Sequence, residues 1–93
     1  MKITEVKVYP VNEGGRLRAY ATLVFDNSFI IRDLKVVEGE NGRLFVSMPS
    51  RRKKDGTFRD IAHPLNSDMR NEVEQKIIQE YNTSIKGMEV EEI

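Results

Sequence analysis

The sequence predicts an α+β fold, a small antiparallel sheet of about four to five strands with one C-terminal helix packed on it. Two periodicities and the chain length carry this prediction. Residues 17–25 alternate strictly, with Leu17, Ala19, Ala21, Leu23 and Phe25 on one side and Arg18, Tyr20, Thr22 and Val24 on the other, which is the period of a strand. Met69, Val73, Ile77 and Tyr81 recur every fourth residue with Ile78 beside them, the stripe of a helix that lies on an apolar layer. A chain of 93 residues has room for one core and not two, because folding at this size removes only roughly 60–65% of the unfolded surface from water.

Each element follows from local chemistry. In residues 2–11, Thr4, Val6 and Val8 oppose Glu5 and Lys7, a half-exposed strand that Pro10 brings to an end. Asn12-Glu13-Gly14-Gly15 makes a turn, and the strictly alternating strand follows. Asp26-Asn27 reads as a two-residue hairpin turn, since both residue types tolerate positive φ. That turn predicts Phe25 opposite Ser28 and Leu23 opposite Ile30. It places Leu17, Ala19, Leu23, Ile30, Leu34 and Val36 on one face, with Val24, Phe29 and Ile31 on the other. A second apolar surface calls for cover, so Val24, Phe29 and Ile31 are the predicted interface of a homodimer.

Glu38 to Gly42 is a connection, and Leu44-Phe45-Val46-Ser47-Met48 is a further strand that Pro49 stops by removing a backbone donor. Residues 50–58 then read as a basic loop with a tight turn at Asp55-Gly56, its far end anchored on the body by Phe58 and Ile61. After His63-Pro64, Asn66 or Ser67 caps the helix, and Asp68 suits the positive end of its dipole. We expect the helix to stop near Tyr81-Asn82. This divides the chain into a single domain over residues 1–82 and an acidic tail over residues 83–93, expected to be mobile from Gly87 onward.

The composition, 39% hydrophobic and 32% charged with 15 basic and 15 acidic residues, fits a globular domain and excludes a disordered chain. The longest apolar runs, such as Phe29-Ile30-Ile31, fall far short of the roughly 20 residues that span a bilayer, and the N-terminus lacks a signal-peptide pattern. A cytoplasmic protein without a membrane partner is expected. With no cysteine and one histidine, disulfides and thiolate metal sites are excluded, and neither a metal nor another cofactor is expected.

The overall charge balance hides an uneven distribution. Arg43, Arg51, Arg52, Lys53, Lys54 and Arg59 have only Asp55 as a counter-charge within residues 43–59, while acids dominate the helix through Asp68, Glu72, Glu74 and Glu80. A solvated charged turn is the ordinary account of such a run. Four adjacent cations nonetheless repel one another, and they gain most where phosphates replace their counterions.

The stretch Leu44-Phe45-Val46-Ser47-Met48-Pro49-Ser50-Arg51-Arg52, continued by Asp55-Gly56 and by Phe58-Arg59-Asp60-Ile61-Ala62-His63-Pro64-Leu65-Asn66, resembles the signature of the stage V sporulation protein G (septation protein) family. The likeness extends to Gly15-Arg16, Phe29, Asp33-Leu34-Lys35-Val36-Val37 and Gly39, covering residues 1–82. It implies a sheet completed in a homodimer and a DNA- and RNA-binding regulator of genes, cell-division septation and sporulation. It implies no enzyme and no small-molecule substrate. In that family the basic pair after Met-Pro-Ser is associated with nucleic-acid contact, which here falls on Arg51 and Arg52. Lys53, Lys54 and Arg43 depart from the family pattern and make the loop more basic.

Competing readings are weaker. The acidic helix body would repel DNA phosphates, and Arg70 near its start could either reach a phosphate beside the loop or pair with Glu74 four residues on. Asp60 and His63 could form a general acid–base pair, but no nucleophile or metal cluster accompanies them. An Asp60–Arg59 ion pair and a His63 hydrogen bond to backbone suffice. Asp26, Asp33 and Asp60 lack metal-ligand spacing. Tyr20 and Phe58 could stack on bases, although sheet or core packing is the simpler use. The expected site is therefore Arg51, Arg52, Lys53 and Lys54 with Arg59 and Arg43 in support, binding DNA or RNA. The alternative is an adaptor that docks an acidic protein through the same loop.

Overall fold

The turns are set where the chain supplies residues that accept positive φ. Asp26 and Asn27 lie at φ 50° and 51°, and the Ser28 amide donates to the Phe25 carbonyl at 2.9 Å, closing the tight turn that the sequence predicts. The computed structural model describes the backbone of residues 1–91 and the side chains of residues 1–86. Four strands, β1 (Ile3–Pro10), β2 (Leu17–Phe25), β3 (Phe29–Glu38) and β4 (Leu44–Ser47), form an antiparallel meander in that order. β5 (Ser50–Arg52) and β6 (Phe58–Asp60) pair separately as a two-stranded ribbon, and α1 (Ser67–Glu91) follows. This is the predicted α+β class, with four strands in the main sheet.

The register of the β2–β3 hairpin differs from expectation by one residue. Beyond the turn, Phe25 pairs with Phe29, Val24 with Ile30 and Leu23 with Ile31, and further along Ala21 pairs with Leu34. The slip between these two stretches is absorbed by a bulge in β3, where Asp33 takes φ 64°. An extra residue in one strand reverses the in–out parity of everything beyond it. Ile31, Leu34 and Val36 can therefore all belong to the core side although their numbers differ in parity. The predicted interface triad does not share a face: Ile31 packs on the core, Phe29 pairs with buried Phe25, and Val24 lies across the sheet with Ile30.

The core lies between the sheet and α1, which packs on β1, β3 and β4. Ala19, Ala21, Leu23 and Phe25 from β2, Leu34 and Val36 from β3, Val46 and Met48 from the β4 segment, and Val73 and Ile77 from α1 are buried together. Met69, Ile78 and Tyr81 flank them, so the helical stripe packs as its spacing requires. The helix starts where Asn66 Oδ1 accepts the Met69 amide at 2.8 Å, which makes Asn66 the cap. It runs past Tyr81-Asn82 to Glu91. No proline interrupts that stretch, and the single Gly87 costs a helix only about 1 kcal/mol relative to alanine. The last two residues of the expected tail, 92 and 93, lie outside the described residues. Among the described residues, no helix is long and apolar enough to cross a membrane.

Candidate nucleic-acid interface

The basic segment is a hairpin rather than a loop. Ser50 pairs with Asp60, Arg51 with Arg59 and Arg52 with Phe58. At the tip the Lys53 amide donates to the Thr57 carbonyl at 2.7 Å, and the Gly56 amide to the Lys53 carbonyl at 3.1 Å. Gly56 sits at φ 88°, the left-handed position such a three-residue turn requires. Asp55 fastens the turn by accepting the Thr57 hydroxyl at 2.6 Å and the Thr57 amide at 3.0 Å. These two bonds, the hydroxyl first, hold the Asp55 carboxyl below its ordinary value.

At its base the ribbon is held by the Ile61 amide donating to the Pro49 carbonyl at 2.7 Å. The expected side-chain anchors are absent, because Phe58 and Ile61 are each 69% exposed. Backbone bonds fix the ribbon's root, and every residue of its two strands remains exposed.

Arg51, Arg52, Lys53, Lys54 and Arg59 line one open hollow of about 490 Å³, with Asp60 and Ile61 completing its wall. Arg51 and Arg59 are directly opposed across the ribbon. Among the described residues the ion pairs are Lys7–Glu5, Arg18–Glu38 and Lys76–Glu72, and none engages a ribbon cation. The expected Asp60–Arg59 and Arg70–Glu74 pairs do not form. Asp55, at the ribbon's tip, turns to Thr57 instead. Like charges set directly opposite destabilise a strand pair, so the free ribbon carries a repulsion that a polyanion would relieve.

Arg43 does not join this group. It precedes β4 and lines a groove between that strand and α1 with Phe45, Ile78 and Lys86. His63 Nδ1 lies 2.9 Å from the Pro64 carbonyl, the backbone role expected of it. Asp26 accepts the Lys2 amide at 3.1 Å and Asp33 forms the β3 bulge, which gives both carboxylates structural uses.

The sequence reading missed two features. One is the pairing of β5 with β6, legible in retrospect as two equal arms about Asp55-Gly56. The other is the pairing of exposed Tyr9 with exposed Tyr20 on the sheet face away from α1, which depends on the strand register.

Fold and site together define a four-stranded meander backed by a C-terminal helix, with a cationic ribbon inserted between the two. The SpoVG family model matches residues 1–83, and the chain belongs to that family. It is 57% identical over 86 residues to the septation protein SpoVG of Anaeromyxobacter sp. (strain K), covering 92% of this chain and 83% of that one. The protein of the same name from Bdellovibrio bacteriovorus is 56% identical over 88 residues, 95% of this chain and 80% of its own length. That of Caldanaerobacter subterraneus subsp. tengcongensis is 52% identical over 81 residues, 87% and 88% of the two chains.

Proposed function

We propose that this protein is a non-enzymatic nucleic-acid-binding regulator whose β5–β6 ribbon grips phosphates, acting in septation as the name of its relatives states for them. The observation that supports it is the single hollow lined by Arg51, Arg52, Lys53, Lys54 and Arg59, without a carboxylate partner for any of them among the described residues. Phosphate contacts of this kind position a protein on the polymer and supply salt-dependent affinity. A two-stranded ribbon also has dimensions that the major groove of duplex DNA admits. Arg43 is left out of the site.

The test is binding of labelled duplex DNA over a salt series by the wild type and by a variant with alanine at Arg51, Arg52, Lys53 and Lys54. At roughly 0.9 per phosphate, losing four contacts shrinks the slope of log K against log[salt] by about 3.6. Equal binding by the variant removes the ribbon from the site.

The reading includes a homodimer that presents the ribbon twice and gains from effective concentration. Its proposed contact surface is the apolar end of the molecule, where Met1, Ile61 and Leu65 rim a cleft of about 360 Å³ floored by Phe25, Ile31 and Met69. Leu65 is 91% exposed, and in a two-fold pair each copy's Leu65 can fill the other's cleft. Light scattering checks this: Leu65→Glu should convert a dimer into a monomer, and a wild type that is already monomeric at micromolar concentration rules the pairing out.

A further inference from the structure

The sheet face away from α1 carries chemistry that the ribbon does not use. β2 buries Ala19, Ala21, Leu23 and Phe25, so Tyr20, Thr22 and Val24 point the other way. Across that open face Tyr9 of β1 pairs with Tyr20 of β2, and Tyr20 pairs in turn with Lys35 of β3. Tyr9 is 54% and Tyr20 41% exposed, and Phe45 of β4 is also exposed. Lys7, Arg32, Thr22 and Ile30 line a shallow depression of about 320 Å³ with the two tyrosines.

We infer that this face is a second nucleic-acid site, specific for single strands, in which unpaired bases stack on Tyr9 and Tyr20 while Lys7, Arg32 and Lys35 meet the phosphates. The inference rests on the nucleic-acid reading of the protein and adds a ligand class to it. Two aromatic rings directly opposed on neighbouring strands lie within reach of each other, with Cβ atoms roughly 4.5–5.5 Å apart. An exposed platform of this size suits a base, whose flat face stacks on an aromatic ring whatever its sequence. Duplex DNA keeps its bases stacked on one another and has nothing to offer the platform. A helix-backed four-stranded sheet with aromatics on its open face is also a common architecture for holding single-stranded RNA.

The charges choose between a polyanion and a second copy of the chain. Lys7, Arg32 and Lys35 stand among Glu5 and Asp33 on this face. Lys7 shares its charge with Glu5 at 3.7 Å, both remaining about half exposed. A strand of phosphates meets the net positive charge of this face favourably, whereas a second copy would bring the same net charge against it. The apolar end around Leu65 has no such penalty and is the better surface for a second copy.

The experiment uses the full chain, a fluorescein-labelled 12-nucleotide oligouridine and a labelled duplex DNA. Tyr9→Ala with Tyr20→Ala should weaken oligouridine binding roughly 10- to 100-fold for each base that loses its platform. The salt slope and the duplex affinity should stay unchanged. Tyr9→Phe with Tyr20→Phe should restore the affinity, because a phenyl ring stacks without the hydroxyl. The four-alanine ribbon variant should show the converse pattern, losing duplex binding and salt slope.

Oligouridine binding that survives in the double alanine variant overturns the inference. So does a parallel fall of duplex and single-strand affinity, or a dimer that becomes a monomer on the same substitution. A wild type that binds duplex but not oligouridine sinks this second site and leaves the ribbon standing. A ribbon variant that keeps its duplex binding while the tyrosine variant loses oligouridine does the reverse. Should the double variant fail to fold, the wild type still decides. Tyr9 and Tyr20 are two of its three tyrosines and it has no tryptophan, so stacking must quench a large part of its tyrosine emission, and unquenched emission at saturating oligouridine refutes the site.

Discussion

The helix-backed sheet and the β5–β6 ribbon are built on opposite principles within one short chain. The sheet surrounds Leu23, Leu34, Val36 and Ile77, all essentially inaccessible to solvent, and its stability is that of a packed apolar layer. The ribbon buries no residue of either strand. It is shaped by backbone bonds at its root and tip and by one aspartate. The difference separates stability from function: substitutions in the sheet should change how much protein is folded, and substitutions in the ribbon should change what the folded protein binds.

The largest effect should come from Ile77→Ala. Removing a fully buried isoleucine costs about 2–5 kcal/mol, a large share of the total of about 5–14 kcal/mol expected of a chain this long. Urea denaturation should show the midpoint fall, while the fraction that remains folded should bind duplex DNA with an unchanged salt slope. A change in that slope would break the separation.

Gly56→Ala should strike the ribbon alone. No neighbour obstructs the added methyl, whose nearest contact is Arg52 Nη2 at 3.9 Å, but φ is 88°. Holding an L-residue in left-handed backbone costs about 1–2 kcal/mol. Hydrogen exchange should report weakened protection of the Lys53 and Gly56 amides, whose partners are Thr57 and Lys53, with no change at the amides of β2 and β3. Global loss of protection would mean that ribbon and sheet unfold as one unit.

Arg59→Ala should move stability least, by no more than about 0.5 kcal/mol as for most surface substitutions, and in the stabilising direction because Arg51 loses the like charge opposite it. The same variant should lower the duplex salt slope by about 0.9. Loss of stability without loss of slope would place Arg59 in the scaffold.

The two regions were also unequally legible in the sequence. The fold class, a cap at Asn66 or Ser67 and the Met69–Val73–Ile77–Tyr81 stripe follow from local chemistry, and the structure has all three, with Asn66 as the cap. The Asp26-Asn27 turn was legible as well, yet the ladder beyond it was not. Asp33 at φ 64° inserts a bulge that a strict period of two cannot express. At the turn itself Phe25 pairs with Phe29 rather than Ser28, and that one-residue offset sets Val24 apart from Phe29 and Ile31 and breaks up the predicted interface. In the ribbon, the run Arg51 to Lys54 announces itself by charge and gathers with Arg59 around one hollow. Arg43, near the others in charge and sequence, sits instead beside α1, because β4 carries the chain away from it before the ribbon begins.

The smallest effect is the most local and tests whether the ribbon's shape depends on its one engaged acid. Hydrogen bonds from the Thr57 hydroxyl and amide depress the Asp55 pKa below the ordinary 3.8. A carboxyl depressed by folding binds its proton less readily in the folded chain than in the unfolded one. Its contribution is therefore complete above the unfolded value, and it fades as pH falls through the folded value. The Thr57 amide resonance should titrate with a midpoint below 3.8, and the protection of Lys53 and Gly56 should fall with it. In Asp55→Asn that pH dependence should vanish, while β2 and β3 show the same acid response in both proteins. A Thr57 midpoint at or above the ordinary aspartate value would mean that Asp55 does not hold the turn, leaving Gly56 and the backbone bonds as its only determinants.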